Sequence, residues 1–357
     1  MLRPSVLALT LACSASYGAD KIVESVPGST FQYGPAPTVE LVTFTTSEPI
    51  TGVGLTGAWS SISGDLGGGT YPWAIDLECV VTAPGGEQGL WAAPFTGDVT
   101  IADFPINDGS DAILSGKAGP GVYQFAWLDA LGQPNSLAQV ADPVYHATTT
   151  VPDVMFSYTA QPDPSTSWDR PFFIEGVSGL GPTSYDVFEF TVDTPGRYVL
   201  TSVLEVDDNH FTFLYKGSFD DTQPLVNLLD YGLGNGFSVF GEPRGTSRID
   251  TLLFPGETYY WVTSTWASFS PVTETSANTI VGPGNVFSDR LSCLEDFDND
   301  GDVDLGDFGF FGAAFGSSAG DPTYDARADF DNDGDVDLGD FGAFGAAFGT
   351  TDCFNAP

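Results

Sequence analysis

The stretch DVFEFTVDTPGRYVLTSV, residues 186 to 203, decides the fold class of the chain. In its first half Phe188, Phe190 and Val192 occupy alternate positions, so a strand would place all three on one face. The residues DTPG follow as a turn signal, because Pro and Gly suit turn geometry and interrupt regular strands. The second half has the aromatic and β-branched composition of another strand. The stretch therefore predicts two short strands joined by a tight turn.

The same design recurs along residues 20–290. SRIDTLLF (247–254) runs through the turn residues PGE into TYYWVTSTW (258–266). Further strand candidates upstream are ELVTFTTS (40–47), AIDLECVVTA (74–83), GDVTIADF (97–104), GVYQFAWLDA (121–130) and VMFSYTA (154–160). Short alternating strands separated by turn residues are typical of antiparallel sandwiches. We therefore predict a mainly β protein with two antiparallel, jelly-roll-like β-sandwich domains, and no amphipathic helix before residue 290.

A proline-rich segment, AQPDPSTSWDRP (160–171), separates the two β regions. We predict a first β-sandwich domain over 20–160, a linker over 161–171 and a second sandwich over 172–290. In the second region DVFEFTVDTPGRYVLTSV, FLYKGSFDDTQPLVNLL, SRIDTLLFPGETYYWVTS and VGPGN occur in an order that resembles the bacterial pre-peptidase C-terminal domain. The resemblance covers residues 172–288 and implies a small accessory sandwich of secreted enzymes that carries no catalysis.

The charge of the chain restricts its partners. There are 48 acidic and 10 basic residues among 357, a formal net charge of −38. Proteins that bind nucleic acid neutralise phosphates with Lys and Arg, and this chain lacks the cations to do so. Clustered acids favour divalent cations instead. From Cys293 to Pro357 there are 16 acidic residues and a single base, Arg327.

The N-terminus predicts export. Arg3 precedes a short apolar core, VLALTLA (6–12), and small residues follow up to Ala19. This pattern is typical of a secretory signal peptide, here residues 1–19, and the core is too short to span a membrane. A lipoprotein signal with anchoring through Cys13 is the alternative. We predict a secreted, extracellular or cell-surface protein without a transmembrane segment.

The C-terminal region contains a tandem sequence repeat. DFDNDGDVDLGDFGFFGAAFG occupies residues 296–316, and DFDNDGDVDLGDFGAFGAAFG occupies residues 329–349. The copies agree at 20 of 21 positions and differ only where Phe310 becomes Ala343. Such a duplication predicts two equivalent structural units in residues 291–357.

The spacing of acids in each copy is that of an EF-hand calcium loop. Acids fall at loop positions 1, 3, 5, 7, 9 and 12, and Gly301 or Gly334 occupies position 6, where the loop turns sharply. Ca²⁺ takes six to eight hard oxygen ligands, which alternate residues of a folded loop can present. We predict two Ca²⁺ ions per chain. The candidate metal residues are Asp296, Asp298, Asp300, Asp302, Asp304, Asp307, Asp329, Asp331, Asp333, Asp335, Asp337 and Asp340.

Three cysteines remain after the predicted signal peptide: Cys79, Cys293 and Cys353. Cys293 lies just before the first repeat and Cys353 just after the second, so a disulfide between them would enclose both loops. Cys79 alternates with Leu77 and Val81 on one predicted strand face, which indicates a buried thiol.

The residues around each loop carry three further predictions. The apolar position 8, Val303 or Val336, is expected to pair the two loops as a short β-bridge. Each loop is followed by one helix with a phenylalanine stripe, which forms either a core between the helices or a docking face. The stripes are Phe308, Phe311 and Phe315, and Phe341, Phe344 and Phe348. Glycines inside these helices, such as Gly309 and Gly312, would allow close helix–helix approach.

A calcium loop followed by a single helix, duplicated and flanked by cysteines, resembles a type I dockerin over residues 293–353. The resemblance implies a small helical module that binds two Ca²⁺ and docks onto a cohesin module. Cellulosomal dockerins carry hydroxyl pairs at loop positions 10 and 11, whereas this chain has Leu305–Gly306 and Leu338–Gly339. The predicted partner is therefore a cohesin-like or other extracellular protein module. A thrombospondin type 3 repeat is a less favoured match, because it lacks the regular phenylalanine-rich helices.

The sequence favours a non-catalytic protein. Its two histidines, His146 and His210, are 64 residues apart, and no zinc-protease, serine-hydrolase or CxxC motif is present. We predict a calcium-dependent module that anchors or presents β-sandwich domains of adhesion or carbohydrate-binding type. The alternative is a secreted hydrolase of polysaccharides with its active site in the N-terminal sandwich, because glycosidases need only two carboxylates. Acids available for such a pair are Asp76, Glu78, Glu205, Asp207 and Asp208.

Overall fold

The computed structural model describes most of the chain after residue 17. The described residues are 18–34, 36–63, 77–92, 104–108, 118–129, 137–172, 176–204, 209–234, 242–267, 275–288, 293, 295–297, 302–325, 327–331, 333–350 and 353. Within them the protein is mainly β, with several antiparallel sheets and two short helices. In this part of the chain neither helix is long and apolar enough to cross a membrane. The predicted signal peptide lies outside these ranges except for Gly18 and Ala19.

The first β region contributes nine of the described strands. They are β1 (Ala19–Pro27), β2 (Phe31–Tyr33), β3 (Thr38–Phe44), β4 (Gly52–Ser63), β5 (Leu77–Thr82), β6 (Gln88–Ala92), β7 (Phe104–Asp108), β8 (Gly121–Asp129) and β9 (Leu137–Val151). Four of them form one antiparallel sheet in the order β3-β8-β5-β6. The other five belong to a larger sheet that continues into the second region.

The second β region contributes twelve described strands, and the C-terminal region contributes both helices. The strands are β10 (Val154–Ala160), β11 (Asp163–Trp168), β12 (Pro171–Phe172), β13 (Gly176–Val177), β14 (Thr183–Val192), β15 (Gly196–Leu204), β16 (His210–Lys216), β17 (Leu228–Leu233), β18 (Thr246–Leu253), β19 (Tyr259–Thr265), β20 (Ser276–Gly282) and β21 (Val286–Phe287). The helices are α1 (Leu305–Ala314) and α2 (Leu338–Ala347).

Two large sheets contain most of these strands. A nine-stranded sheet has the order β10-β20-β15-β1-β9-β4-β7, with β18 paired to β15 and β2 paired to β9. A six-stranded sheet has the order β11-β14-β19-β16-β17, with β21 paired to β14. The contact Lys21↔Gly196 joins β1 to β15, so one sheet spans both β regions.

The turn in the stretch 186–203 carries the chain from one sheet to the other. The strand before it, β14, lies in the six-stranded sheet, and the strand after it, β15, lies in the nine-stranded sheet. Phe188 and Phe190 of β14 share one hydrophobic cluster with Tyr198 and Leu200 of β15. The turn between β18 and β19 carries the chain back from the nine-stranded sheet to the six-stranded sheet. The apolar face of each strand is therefore buried against a strand that lies next to it in sequence.

The core of the first region is aromatic and closely packed. Trp59 and Trp127 are fully buried, and the Trp59 indole N–H donates to the Tyr33 hydroxyl over 2.7 Å. Leu77, Cys79 and Val81 of β5 are also fully buried, which confirms the predicted strand face. Burial of the Cys79 thiol raises its pKa well above the usual value.

The structure moves the predicted boundary between the β regions. The first domain was predicted to end at residue 160, yet β10 pairs with β20 along its whole length. Residues 161–171, the predicted linker, contain β11, which pairs with β14. The reason is aromatic burial: Phe156 and Tyr158 lie in the core of the second region, and Trp168 is only 2% exposed. Pro164, one of the prolines that suggested a linker, lies in β11 at the edge of the six-stranded sheet.

The junction between the two regions contains a buried histidine. His146 of β9 lies between two hydroxyls: its Nδ1 is 2.8 Å from Ser25 Oγ and its Nε2 is 3.0 Å from Thr56 Oγ1. Phe254, at the turn after β18, has its ring centroid 5.5 Å from that of His146. Burial lowers the pKa of His146 to about 4, because the charged imidazolium would lose its hydration.

Candidate metal centre

Each acidic loop of the C-terminal region leads directly into a capped helix. Asp304 is the N-cap of α1, and its Oδ1 accepts a hydrogen bond from the Gly306 N–H at 2.6 Å. Asp307 completes a capping box by accepting from the Asp304 N–H at 2.8 Å. Asp337 and Asp340 repeat this arrangement at the start of α2 with the same distances. The loop acids therefore also determine where the helices begin.

The carboxylate at position 12 ties the beginning of each loop to its end. The Phe297 N–H donates to Asp307 Oδ1 at 2.6 Å, and the Phe330 N–H donates to Asp340 Oδ1 at 2.7 Å. Both aspartates are almost fully buried. Because the second oxygen of each accepts from the N-cap, both oxygens at position 12 already have backbone donors. Position 12 is usually Glu in an EF-hand, and Asp is one methylene shorter. In this structure the aspartate closes each loop through backbone hydrogen bonds alone.

The second loop folds around the carboxylate of Asp329. This group accepts hydrogen bonds from the Asp333 N–H at 3.1 Å and from the Gly334 N–H at 3.0 Å. Gly334 has φ +97°, a left-handed conformation that glycine adopts without a steric penalty. Carboxylate oxygens of Asp329, Asp331 and Asp333 lie within 4.8 Å of one another. Oxygens bound to one Ca²⁺ at about 2.3–2.6 Å cannot be more than roughly 5 Å apart, so this spacing fits one ion.

The first loop brings together a different part of the same pattern. Carboxylate oxygens of Asp302, Asp304 and Asp307 lie within 4.8 Å of one another, and Asp296 is buried nearby in the chain. Asp298, Asp300 and Gly301 lie outside the described residues. In the second loop Asp335 is half-buried and Asp337 serves as the helix cap. Hard carboxylate oxygens in such groups suit Ca²⁺ better than softer transition metals.

Repulsion between like charges opposes ionisation of the carboxyl groups in the second loop. Desolvation and the neighbouring Asp333 raise the pKa of Asp331 above its usual value. The charge on Asp333 is the first cause that raises the pKa of Asp335, followed by desolvation and by Asp337. A divalent cation placed among these groups would offset this repulsion. The electrostatics therefore fit a cation as well as the geometry does.

The two repeats exchange backbone hydrogen bonds in a reciprocal manner. The sequence predicted that Val303 and Val336 would pair with each other, and the structure contradicts this. The Val336 N–H donates to the Ser317 carbonyl at 2.9 Å, and the Gly316 N–H donates to the Val336 carbonyl at 2.7 Å. Val303 makes the equivalent pair of bonds with the chain after α2, at Gly349 and Thr350. Each buried valine thus attaches its loop to the end of the other repeat's helix.

A disulfide closes the module. Cys293 and Cys353 are joined across a sequence separation of 60, and both are buried in a cluster that includes Phe311 and Phe344. Closing a loop of this length contributes about 4 kcal/mol in the chain-entropy model. Among the described cysteines only Cys79 is free.

Only the middle phenylalanine of each stripe is in the core. Phe311 and Phe344 are 1% exposed and stack with their ring centroids 5.1 Å apart. The remaining stripe residues, together with a leucine at each helix start, leave an apolar surface that we call the Phe face. It consists of Leu305, Phe308, Phe315, Leu338, Phe341 and Phe348, each 43–74% exposed. The core interpretation therefore holds for one residue in each stripe and not for the whole stripe.

The interior glycines do not mark a close contact between helices. A Cβ atom added at Gly309, Gly312, Gly342 or Gly345 would have no heavy atom within 4 Å apart from its chain neighbours and the backbone of its own helix. The predicted close helix–helix approach at these positions is therefore wrong. The helices meet through phenylalanine rings, such as Phe308 and Phe341 at 6.5 Å, and large rings hold the backbones apart.

One residue of the candidate site escaped the sequence analysis. The Tyr324 hydroxyl donates a 2.7 Å hydrogen bond to Asp329 Oδ2, at position 1 of the second loop. This bond raises the pKa of Tyr324 to about 12. The only signal in the sequence is a difference between the flanks, because Leu291 stands 33 residues earlier at the corresponding place.

Of the acids considered for catalysis, only Glu78 lies among the described residues. Glu78 lies in β5, whereas Asp76, Glu205, Asp207 and Asp208 fall outside the described residues. Exposed tryptophan rings can serve as platforms for sugars, but Trp59 and Trp168 are buried in the cores and have no exposed ring face. Trp73 also falls outside the described residues. His210 begins β16 and is buried beside Ser202.

Comparison with known proteins identifies no relative by sequence. No protein-family model matches the chain, and no curated protein matches it. Among solved structures, plant receptor-like kinase ANX2 aligns over 78% of this chain and 90% of its own, at 10% identity and a TM-score of 0.17. The infectious bursal disease virus VP2 subviral particle aligns over 74% and 72%, at 9% identity and a TM-score of 0.17. The ANXUR1 extracellular domain from Arabidopsis thaliana aligns over 74% and 89%, at 10% identity and the same TM-score.

Proposed function

We propose that residues 291–357 form a dockerin-like module that binds two Ca²⁺ ions, one in each loop. The observation that carries the proposal is the convergence of carboxylates within 4.8 Å in both copies of a duplicated calcium-loop sequence. The ligands would come from the twelve loop aspartates, with the position-7 residues, Asp302 and Asp335, contributing backbone carbonyls. Bound calcium would neutralise the acids and hold each loop against its helix.

We further propose that the β regions form two sandwiches that this module anchors or presents outside the cell. The shared core between strands of the two large sheets supports a sandwich in the second region. The disulfide supports an oxidising compartment, in line with the predicted signal peptide. Domains of this kind serve adhesion or carbohydrate binding, and the resemblance to accessory domains of secreted enzymes supports a non-catalytic role.

The Phe face is the surface that we propose for docking to an extracellular protein module. Large exposed apolar patches on a protein surface often mark interaction sites, and α1 and α2 expose six large apolar side chains. The duplicated helices present the same leucine and phenylalanine positions twice, once on α1 and once on α2. The glycines beside them add no side-chain bulk to the face. The acidic loops at its border favour a partner whose rim is basic.

A binding experiment with matched variants tests this docking function. The full chain is immobilised and exposed to envelope and culture-fluid proteins of the producing organism, in calcium and in EDTA. We expect the wild-type chain to retain a protein in calcium but not in EDTA. The double variant Leu305→Ser/Leu338→Ser should not retain it. The control Leu41→Ser/Leu90→Ser removes two leucines of comparable exposure from the first β region and should retain it. Equal retention by both double variants would contradict docking through the Phe face.

A further inference from the structure

The two near-identical loops have different surroundings. Tyr324 precedes position 1 of the second loop by five residues, and the equivalent residue of the first repeat is Leu291. The side chain of leucine has no hydrogen-bond donor, so Leu291 cannot give the first loop the bond that Tyr324 gives to Asp329. The following residues differ as well, with Asp325 and Arg327 in place of Ser292 and Leu294. The duplication therefore begins at position 1 of each loop and does not extend upstream of it.

A series of turns holds Tyr324 in place beside the second loop. Its N–H donates to the Asp321 carbonyl at 3.1 Å, and the Ala328 N–H donates to the Asp325 carbonyl at 2.9 Å. Arg327 forms an ion pair with Asp325 at 2.7 Å and lies 5.6 Å from the ring centroid of Phe297. The Tyr324 ring packs against the core of the module. These turns and the packing of the ring thus direct the hydroxyl at Asp329.

The hydrogen bond from Tyr324 is accepted by Asp329, the residue whose carboxylate organises the backbone of the second loop. Asp329 Oδ2 accepts from both the Tyr324 hydroxyl and the Gly334 N–H, while Oδ1 accepts from the Asp333 N–H. A donor to one oxygen of a ligating carboxylate fixes the direction in which the other oxygen faces. Groups that orient a metal ligand in this way typically change metal affinity by 10–100-fold when they are removed.

We propose that Tyr324 is a positioning residue that makes the second calcium loop bind its ion more tightly than the first. The inference rests on the proposed calcium function and concerns the order in which the two sites fill. The second loop would load first on a rise in calcium, and the first loop would follow at higher concentration. Two copies of one sequence would then respond over two calcium ranges.

The test isolates each loop in the full chain. Asp298→Ala/Asp300→Ala disables the first loop, and Asp331→Ala/Asp333→Ala disables the second, in which both aspartates are exposed. Tyr324→Phe is added to each background, and calcium chloride is titrated by calorimetry. Phenylalanine keeps the ring, which packs on the core and lines a cavity of about 510 Å³ beside Asn285 and Phe287. The variant therefore removes the hydroxyl alone.

We expect Tyr324→Phe to weaken calcium binding about tenfold when only the second loop is active. The same substitution should leave binding by the first loop unchanged within twofold. Release of calcium into excess chelator should be faster only from the second loop, a difference that a merely structural role would not produce. Unchanged affinity of the second loop, or equal weakening of both loops, would overturn the inference. Absence of calcium binding in both parent backgrounds would instead overturn the proposed function, and the inference with it.

Discussion

Gly309 and Gly312 lie in the interior of α1, where glycine is among the least favourable residues. Their copies in α2 are in the same situation. The sequence suggested that small residues were needed for helix contact, but the structure leaves open space at all four positions. Their conservation between the two copies therefore serves something other than the stability of the isolated chain. A flat Phe face is the reason that the geometry supports.

Gly309→Ala/Gly312→Ala should stabilise the C-terminal module by about 1 kcal/mol per substitution. The reason is that alanine restricts the unfolded chain and meets no neighbour in the folded helix. Chemical unfolding followed by the helical circular dichroism signal measures the change. Gly316→Ala is the matched control, because its φ of +83° disfavours any side chain, and it should destabilise. A loss of stability in the double variant would show a close contact at α1.

Some features of the individual helices, loops and strands are determined by the local sequence, and others are not. Loop spacing, helix starts and the buried face of β5 follow from positions that are close in the chain, and each was predictable. The partners of Val303 and Val336 depend on how two repeats pack, and no local pattern encodes that choice. The allocation of β14 and β15 to different sheets is likewise a non-local result. Spacing alone also leaves the stripes ambiguous, because it identifies a helix face without showing what covers it.

Asp304→Ala should destabilise the module by about 1 kcal/mol even in excess chelator. The substitution removes the oxygen that accepts from the Gly306 N–H and leaves the first turn of α1 uncapped. Measuring in chelator separates capping from any metal contribution. Asp304→Asn is the control, since asparagine caps helices as well as aspartate does. If alanine and asparagine gave the same stability in chelator, the cap would have no role.

At the scale of the whole molecule, one continuous sheet joins the two β regions. The division at residues 160 and 171 was drawn from composition, whereas aromatic residues such as Phe156 and Trp168 assign those segments to the second region. Amino-acid composition indicates flexibility and turn content. Whether a segment is buried depends instead on which strands, distant in sequence, can pair with it and cover it. His146 lies at this junction, between β1 and β4 and beneath Phe254.

The buried histidine predicts that the β regions lose stability in acid. Its folded pKa of about 4 lies below the ordinary value of 6.5, so the unfolded chain binds the proton more readily between these pH values. Stability therefore falls as pH falls through this window, by roughly 2 kcal/mol between pH 7 and pH 5 from this residue. His146→Gln should lack this part of the pH dependence. Parallel stability–pH curves for the wild type and the variant would contradict the assignment.

Calcium stoichiometry of the full chain is the measurement that tests the central claim most directly. Calorimetric titration of the calcium-free protein should show two ions per chain. One ion should remain in Asp298→Ala/Asp300→Ala and one in Asp331→Ala/Asp333→Ala. The control Asp142→Asn, which changes an exposed acid in β9, should still bind two. Absence of saturable binding in the wild type, or two ions retained in either double variant, would contradict the two-loop calcium module.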